Sequence, residues 1–155
     1  MTVAADSDRQ IENLICRYAF LVDDGNFAGL GDLLDAADFS LGPNTVHGKA
    51  AVEELALNTL QTYADGTPRT RHVTTNLIID VDEEKGTATS RSYFTVMQQA
   101  DGFPLQPVAT GRYRDAFERH DGTWRFTSRT VAEQLFGDLS RHVKRAAHQG
   151  TDTRP

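Results

Sequence analysis

The chain has 155 residues, 39% hydrophobic and 25% charged, with a net charge of −6, which gives one domain with room for a core and no low-complexity tract. The acidic balance argues against a nucleic-acid or anionic-membrane partner, and no apolar run is long enough to span a bilayer. The single cysteine, Cys16, excludes an intramolecular disulfide.

The N-terminal run MTVAADSDRQ has neither a basic stretch nor an apolar h-region, so no signal peptide is expected and a cytoplasmic setting follows. Ser7 and Gln10 have capping-box spacing and predict a helix from about residue 8. Its stripe is Ile11, Leu14, Ile15, Tyr18 and Val22, and Gly25 is placed to end it. Apolar neighbours at helical spacing predict a buried thiol for Cys16. Asn26 caps a second, short helix with Phe27, Leu30, Leu33 and Leu34 inward. Residues 38 to 42 read as a short strand, Pro43-Asn44 as a turn, and Gly48 leads into a third helix with Val52, Leu55 and Leu60 inward. From residue 70 the period changes to two, with strands predicted at 70–82, 87–99, 106–119 and 123–133. Turn clusters at residues 82–86, Asp101-Gly102 and His120-Asp121-Gly122 make these an antiparallel meander. Residues 134 to 148 are expected to form a short helix or arm, and 1–6 and 149–155 to be flexible ends. Helices first and a long meander after define an α+β domain. A curved sheet over the first helix leaves a cavity between them.

Two residues carry chemistry. Asp23 lies just past the first helix, and His72 opens the first long strand. A carboxylate behind an imidazole is a minimal acid–base pair. The same pair can also be purely structural, joining helix to sheet. Alternation puts His72, Thr74, Asn76, Ile78 and Asp80 on one strand face and Val73, Thr75, Leu77, Ile79 and Val81 on the other. Thr74 and Asn76 would then line the pocket beside His72. Tyr18 sits on the apolar stripe, where core packing is the commoner role. Arg129 alternates opposite Trp124 and Phe126, which would turn it towards solvent or a partner subunit. His120 falls in a turn, His142 and His148 in the tail, and His47 in a loop that could border a pocket mouth. No pair has convincing metal-ligand spacing, so no metal is expected. There is no phosphate-cradling loop or nucleophile elbow.

The segments RYAFLVDDGNFAGLGDLL, RHVTTNLIIDV and GRYRDAFERHDGTWRFTSRTV resemble the SnoaL-like branch of the NTF2-like superfamily over roughly residues 8 to 145. The resemblance implies a cone-shaped α+β barrel with one deep pocket. It names no reaction, because the fold hosts many. Asp23 and His72 fall where scytalone dehydratase, hexachlorocyclohexane dehydrochlorinase and bile-acid dehydratase type members carry their aspartate and histidine. Tyr18 matches a helix-1 tyrosine of the bile-acid type, and Arg129 lies near a last-strand arginine of the same group. A second catalytic histidine falls at Val108, so a two-histidine mechanism of the scytalone type is not expected. The ketosteroid-isomerase base falls near Gly42, which removes that chemistry.

The resemblance therefore implies a lyase, dehydratase or dehydrohalogenase in type, or a cyclase or isomerase. It would act without a cofactor on a small hydrophobic ring compound. Asp23, His72 and Tyr18 would be catalytic, with Arg129, Asn76 and Thr74 binding substrate. The alternative is a non-catalytic domain for small-molecule binding or oligomerisation. A long sheet with few helices to cover it is expected to pack as a homodimer or homotrimer. Phe103-Pro104-Leu105 is expected as an exposed loop, a lid or interface.

Overall fold

The computed structural model describes residues 6–145. The first helix, α1 (Ser7–Asp23), buries the predicted stripe. Its N-cap is Asp6, which makes no side-chain capping bond, and Ser7 is the first helical residue. The expected capping box is therefore replaced: Trp124 Nε1 donates to the Ser7 hydroxyl at 3.2 Å, tying the helix start to the sheet. Cys16 is exposed rather than buried. One residue past Ile15 is a turn of about 100°, which carries position 16 off the stripe and onto the face of Phe20, itself 70% exposed.

The end of α1 is tightly built. Asn26 N–H donates to Leu21 O at 2.9 Å and Gly25 N–H to Val22 O at 3.0 Å, the double bond of a Schellman cap. Gly25 takes φ +69°, and a Cβ there would lie 2.1 Å from Gly66 O, so no other residue fits. Asn26 caps α2 (Phe27–Leu33) by accepting from Gly29 N–H at 2.9 Å, and α3 (Lys49–Thr59) follows Gly48.

The strands are β1 (Asp38–Leu41), β2 (Asn44–His47), β3 (Thr70–Asp82), β4 (Thr87–Ala100), β5 (Phe103–His120) and β6 (Thr123–Phe136). They form one sheet in the order β2-β1-β6-β5-β4-β3. It curves without closing into a complete barrel, since no register joins β2 to β3. The sequence reading lacked β2. Gly42-Pro43 forms a two-residue hairpin, pairing Leu41 with Asn44. His47 lies on this edge and meets Asp38 at 2.8 Å rather than a pocket mouth. β5 starts at Phe103, not 106. Phe103 is buried, so the expected lid loop is the start of a strand. α1 packs across β3 and β6, and the core lies between them.

Register shifts break the period of two in each of the long-strand pairings, and those in β3 and β6 decide where the expected site residues face. The β3–β4 register shifts between Thr75 and Ile78, with Asn76 at φ +54°. One extra residue reverses the facing that follows. Leu77, Ile79 and Val81 pack against the core, while Ile78 and Asp80 are exposed. In β6 a shift opposite Ala116/Phe117 brings Arg129 and Val131 onto the same buried side as Trp124 and Phe126. A further shift near Glu133, at φ +49°, puts Gln134 and Phe136 on the cavity.

Residues 134–136 of the expected C-terminal element thus belong to β6, and 137–144 form an irregular strap. Gln61 Nε2 donates to Ser140 O and Val143 O at 2.9 and 2.7 Å, and Gln98 Nε2 to Arg141 O at 2.9 Å. Leu60 and Val143 form a bridge. His148 and the expected flexible ends, apart from Asp6, lie outside the described residues. No helix among the described residues is long and apolar enough to cross a membrane.

Candidate active site

The capped end of α1 and the first residues of β3 converge on one carboxylate. Asp23 Oδ1 accepts from Thr70 Oγ1 at 2.7 Å and from His72 Nδ1 at 2.6 Å. Its Oδ2 accepts from the His72 backbone N–H at 2.7 Å. The His72 and Asp23 side chains are only 8% and 9% exposed. Burial pushes the Asp23 carboxyl up. The His72 ring bond and charge, the His72 amide and the Thr70 hydroxyl outweigh it and hold Asp23 below the usual carboxylate range. The aspartate is thus ionised, Nδ1 donates to it, and a neutral His72 carries its lone pair on Nε2.

His72 borders a cavity of ≈ 130 Å³ together with Tyr18, Val22, Phe94, Val96 and Tyr113. Its walls are mostly apolar, and Asp23 lies behind His72 rather than on the wall. Tyr18 meets His72 edge to face at 6.4 Å between centroids and Tyr113 at 5.7 Å. Phe94 stacks on Tyr113 at 4.5 Å. Gly111 makes this stack possible, because a Cβ there would stand 2.8 Å from the Phe94 ring. Burial raises the Tyr18 phenol, partly offset by the Arg129 charge, and raises Tyr113 well above its ordinary value. Both therefore remain protonated donors.

The other expected site residues lie elsewhere. Arg129 is fully buried and faces neither solvent nor the cavity. Its Nε and Nη2 donate to Asp115 Oδ1 and Oδ2 at 2.8 and 2.9 Å. Its guanidinium lies 3.8 Å from the Tyr113 centroid and 4.2 Å from that of Tyr18. Burial alone would loosen the Arg129 proton, but the charge and hydrogen bonds of Asp115 reverse that, so the cation persists. Arg129 thus supports the two tyrosines from behind. Thr74 shares the side of His72 yet does not border the cavity, and Asn76 is turned outward by the bulge.

Two residues of the cavity wall, Tyr113 and His142, and Asp115, the buried partner of Arg129, are not marked by the sequence analysis. Gly111, Tyr113, Asp115 and Phe117 alternate along β5 on the buried face, so an acidic residue between two aromatics was the available signal for Asp115. His142, expected in a loose tail, is 7% exposed and borders the cavity with His72. No periodic signal marks it, because it lies on an irregular strap. Among the described residues, no cluster of three or more His, Cys, Asp or Glu is placed to hold a metal.

Helices laid over one curved, open sheet, with a cavity between, define an NTF2-like, cystatin-like α+β protein. Residues 3–130 match the model of the SnoaL-like domain, and the chain belongs to that family. An NTF2-like protein of Novosphingobium aromaticivorans with a cystatin-like fold is similar at 23% identity and TM-score 0.67, over 94% of this chain and 88% of that one. A proposed scytalone dehydratase of the same organism has 22% identity and TM-score 0.64, over 84% and 87%. ActVI-ORFA of Streptomyces coelicolor has 18% identity and TM-score 0.65, over 81% and 95%. These likenesses are of fold. No curated protein matches the sequence.

Proposed function

We propose that the protein is a cofactor-independent acid–base enzyme: a lyase of dehydratase or dehydrohalogenase type, or a cyclase or isomerase. Its substrate is a small hydrophobic ring compound. One observation carries the reading: His72 is held by Asp23 at 2.6 Å while its ring borders an apolar cavity. The cavity, ≈ 130 Å³, is close in size to an engineered cavity of about 150 Å³ that admits benzene, so one-ring compounds suit it. His72 Nε2 takes a proton from carbon beside a carbonyl, and the C–H electron pair becomes the enolate double bond. Asp23 stabilises the imidazolium that forms. When a β-halide is present it leaves as the anion. A β-hydroxyl takes the proton back from His72 and leaves as water. With no leaving group, returning the proton to a different carbon moves the double bond. Tyr18 and Tyr113 border the same cavity and supply hydroxyl donors for the charge that develops. Arg129 is not a substrate anchor in this scheme, since its charge is engaged by Asp115.

The same proposal includes a second copy of this chain against the outer sheet face, where Val73, Ile78 and Tyr93 are exposed.

A screen of one-ring hydroxy- and halo-ketones for turnover tests the reading. His72→Ala is expected to abolish turnover and keep binding. Unchanged turnover in that variant refutes the proposal, and binding without turnover in the unaltered protein leaves a binding domain.

A further inference from the structure

His142 belongs to the strap, not to the sheet. Its N–H donates to Leu139 O at 3.0 Å and its carbonyl accepts from Gln61 N–H at 2.9 Å. The neighbouring Arg141 carbonyl accepts from Gln98 Nε2 at 2.9 Å. These bonds fix the backbone and hold the ring against the cavity that His72 borders. The residue is 7% exposed, and its Nδ1 has no hydrogen-bond partner. A buried polar atom left unmatched costs stability unless something else meets it. As placed, Nδ1 is closed off from the cavity; a half-turn of the ring exchanges Nδ1 and Nε2 with the two ring carbons without moving the ring plane and so turns a nitrogen to the opposite edge. Burial, together with the charge of His72, pulls His142 down to about 4. The ring is therefore neutral at ordinary pH and offers one N–H. It does not become a second cation beside the imidazolium that His72 forms.

We infer that His142 donates its ring N–H to the carbonyl oxygen of a one-ring ketone bound in the cavity, while His72 faces the acidic C–H beside that carbonyl. The assignment rests on the reading of His72 as the base. It narrows the substrate class to ketones bearing an α-hydrogen. No proton leaves His142: its hydrogen bond strengthens as negative charge gathers on the oxygen, and the proton removed from carbon stays with His72. A neutral imidazole acting on a carbonyl in this way is established chemistry elsewhere.

Two probes of nearly the same shape isolate the oxygen. Acetophenone carries C=O where α-methylstyrene carries C=CH2. Dissociation constants for both are measured by NMR titration of the full chain, and the ratio of the two is the readout. His142→Leu is expected to shift that ratio against the ketone by about fivefold, the worth of one neutral hydrogen bond. The affinity for α-methylstyrene stays within twofold. His142→Gln, which keeps an N–H donor, is expected to retain most of the wild-type ratio. A second readout needs no variant: the His142 ring nitrogens, followed in the ¹⁵N-labelled protein, shift on binding acetophenone and not α-methylstyrene. An unchanged ratio with an unmoved ring resonance overturns the role of His142, while bound probes leave the cavity a ligand site. Failure of both probes to bind the unaltered protein overturns this inference and the proposed function together.

Discussion

Asp23→Asn tests the centre of the structure, because it removes charge without changing shape. The carboxylate accepts three hydrogen bonds, from Thr70 Oγ1, His72 Nδ1 and the His72 amide. An asparagine side chain has one oxygen to offer. If that oxygen takes the Oδ1 place, its NH2 faces the His72 backbone N–H, donor against donor. If it takes the Oδ2 place, the NH2 faces Thr70 and Nδ1. The ring must then accept at Nδ1 and carry its proton on Nε2, which removes the base. Either way at least one buried donor loses its acceptor at about 1–3 kcal/mol, and the remaining bonds lose their charge assistance. The sum is about 3 kcal/mol at pH 7, or about 6–12 °C in Tm for a domain of this size. The pH dependence has a definite sign. Asp23 is held below its ordinary value of 3.8, so its ionised form stabilises the fold above that value. The contribution disappears as pH falls through the lowered folded value. Urea unfolding of both proteins from pH 7 to pH 3 should therefore show a gap that closes in acid. A gap under 0.5 kcal/mol at pH 7, on the order of an ordinary surface substitution, or one that stays constant down to pH 3, refutes the reasoning.

Arg129→Met leaves Asp115 as an uncompensated buried charge and should cost about 3–5 kcal/mol, whereas pairing it with Asp115→Leu should recover most of the loss. A double-mutant cycle in denaturant checks this, and a single variant within about 1 kcal/mol of wild type contradicts a buried pair. Tyr93→Glu, placed on the exposed sheet face, should turn a self-associated species into monomer in sedimentation equilibrium. An unaltered protein that is already monomeric at high concentration removes the second copy from the proposal.

The sequence is legible where one local rule governs. The four long strands, the glycine turns and the buried stripe of α1 all follow from period and turn chemistry. It is not legible where one extra residue shifts the phase. The bulge at Asn76 leaves His72 inward but sends Asn76 out and Leu77 in, so alternation carried forward from His72 inverts everything beyond it. The shift in β6 does the same to Arg129, which alternation placed outside and the fold buries completely. Asp23 and His72 lie 49 residues apart, so no local spacing joins them: their residue types suggest an acid–base pair, and the family resemblance supports a catalytic role over a structural one. His142 had no pattern at all, since its position depends on side chains of Gln61 and Gln98 gripping a strap without regular structure. Apolar neighbours at helical spacing do not bury Cys16, because its own position lies about 100° off the stripe beside Ile15.

The Schellman cap at the end of α1 makes the acid–base pair answerable to fraying. Asp23 is the last helical residue, and the amides of Asp24, Gly25 and Asn26 bond back to Phe20, Val22 and Leu21. If that last turn opens, the carboxylate swings away from His72. The rate at which those three amides exchange with deuterated solvent thus clocks how often the pair comes apart. The intact fraction of the pair is readable from backbone protons outside the cavity, before any substrate has been found.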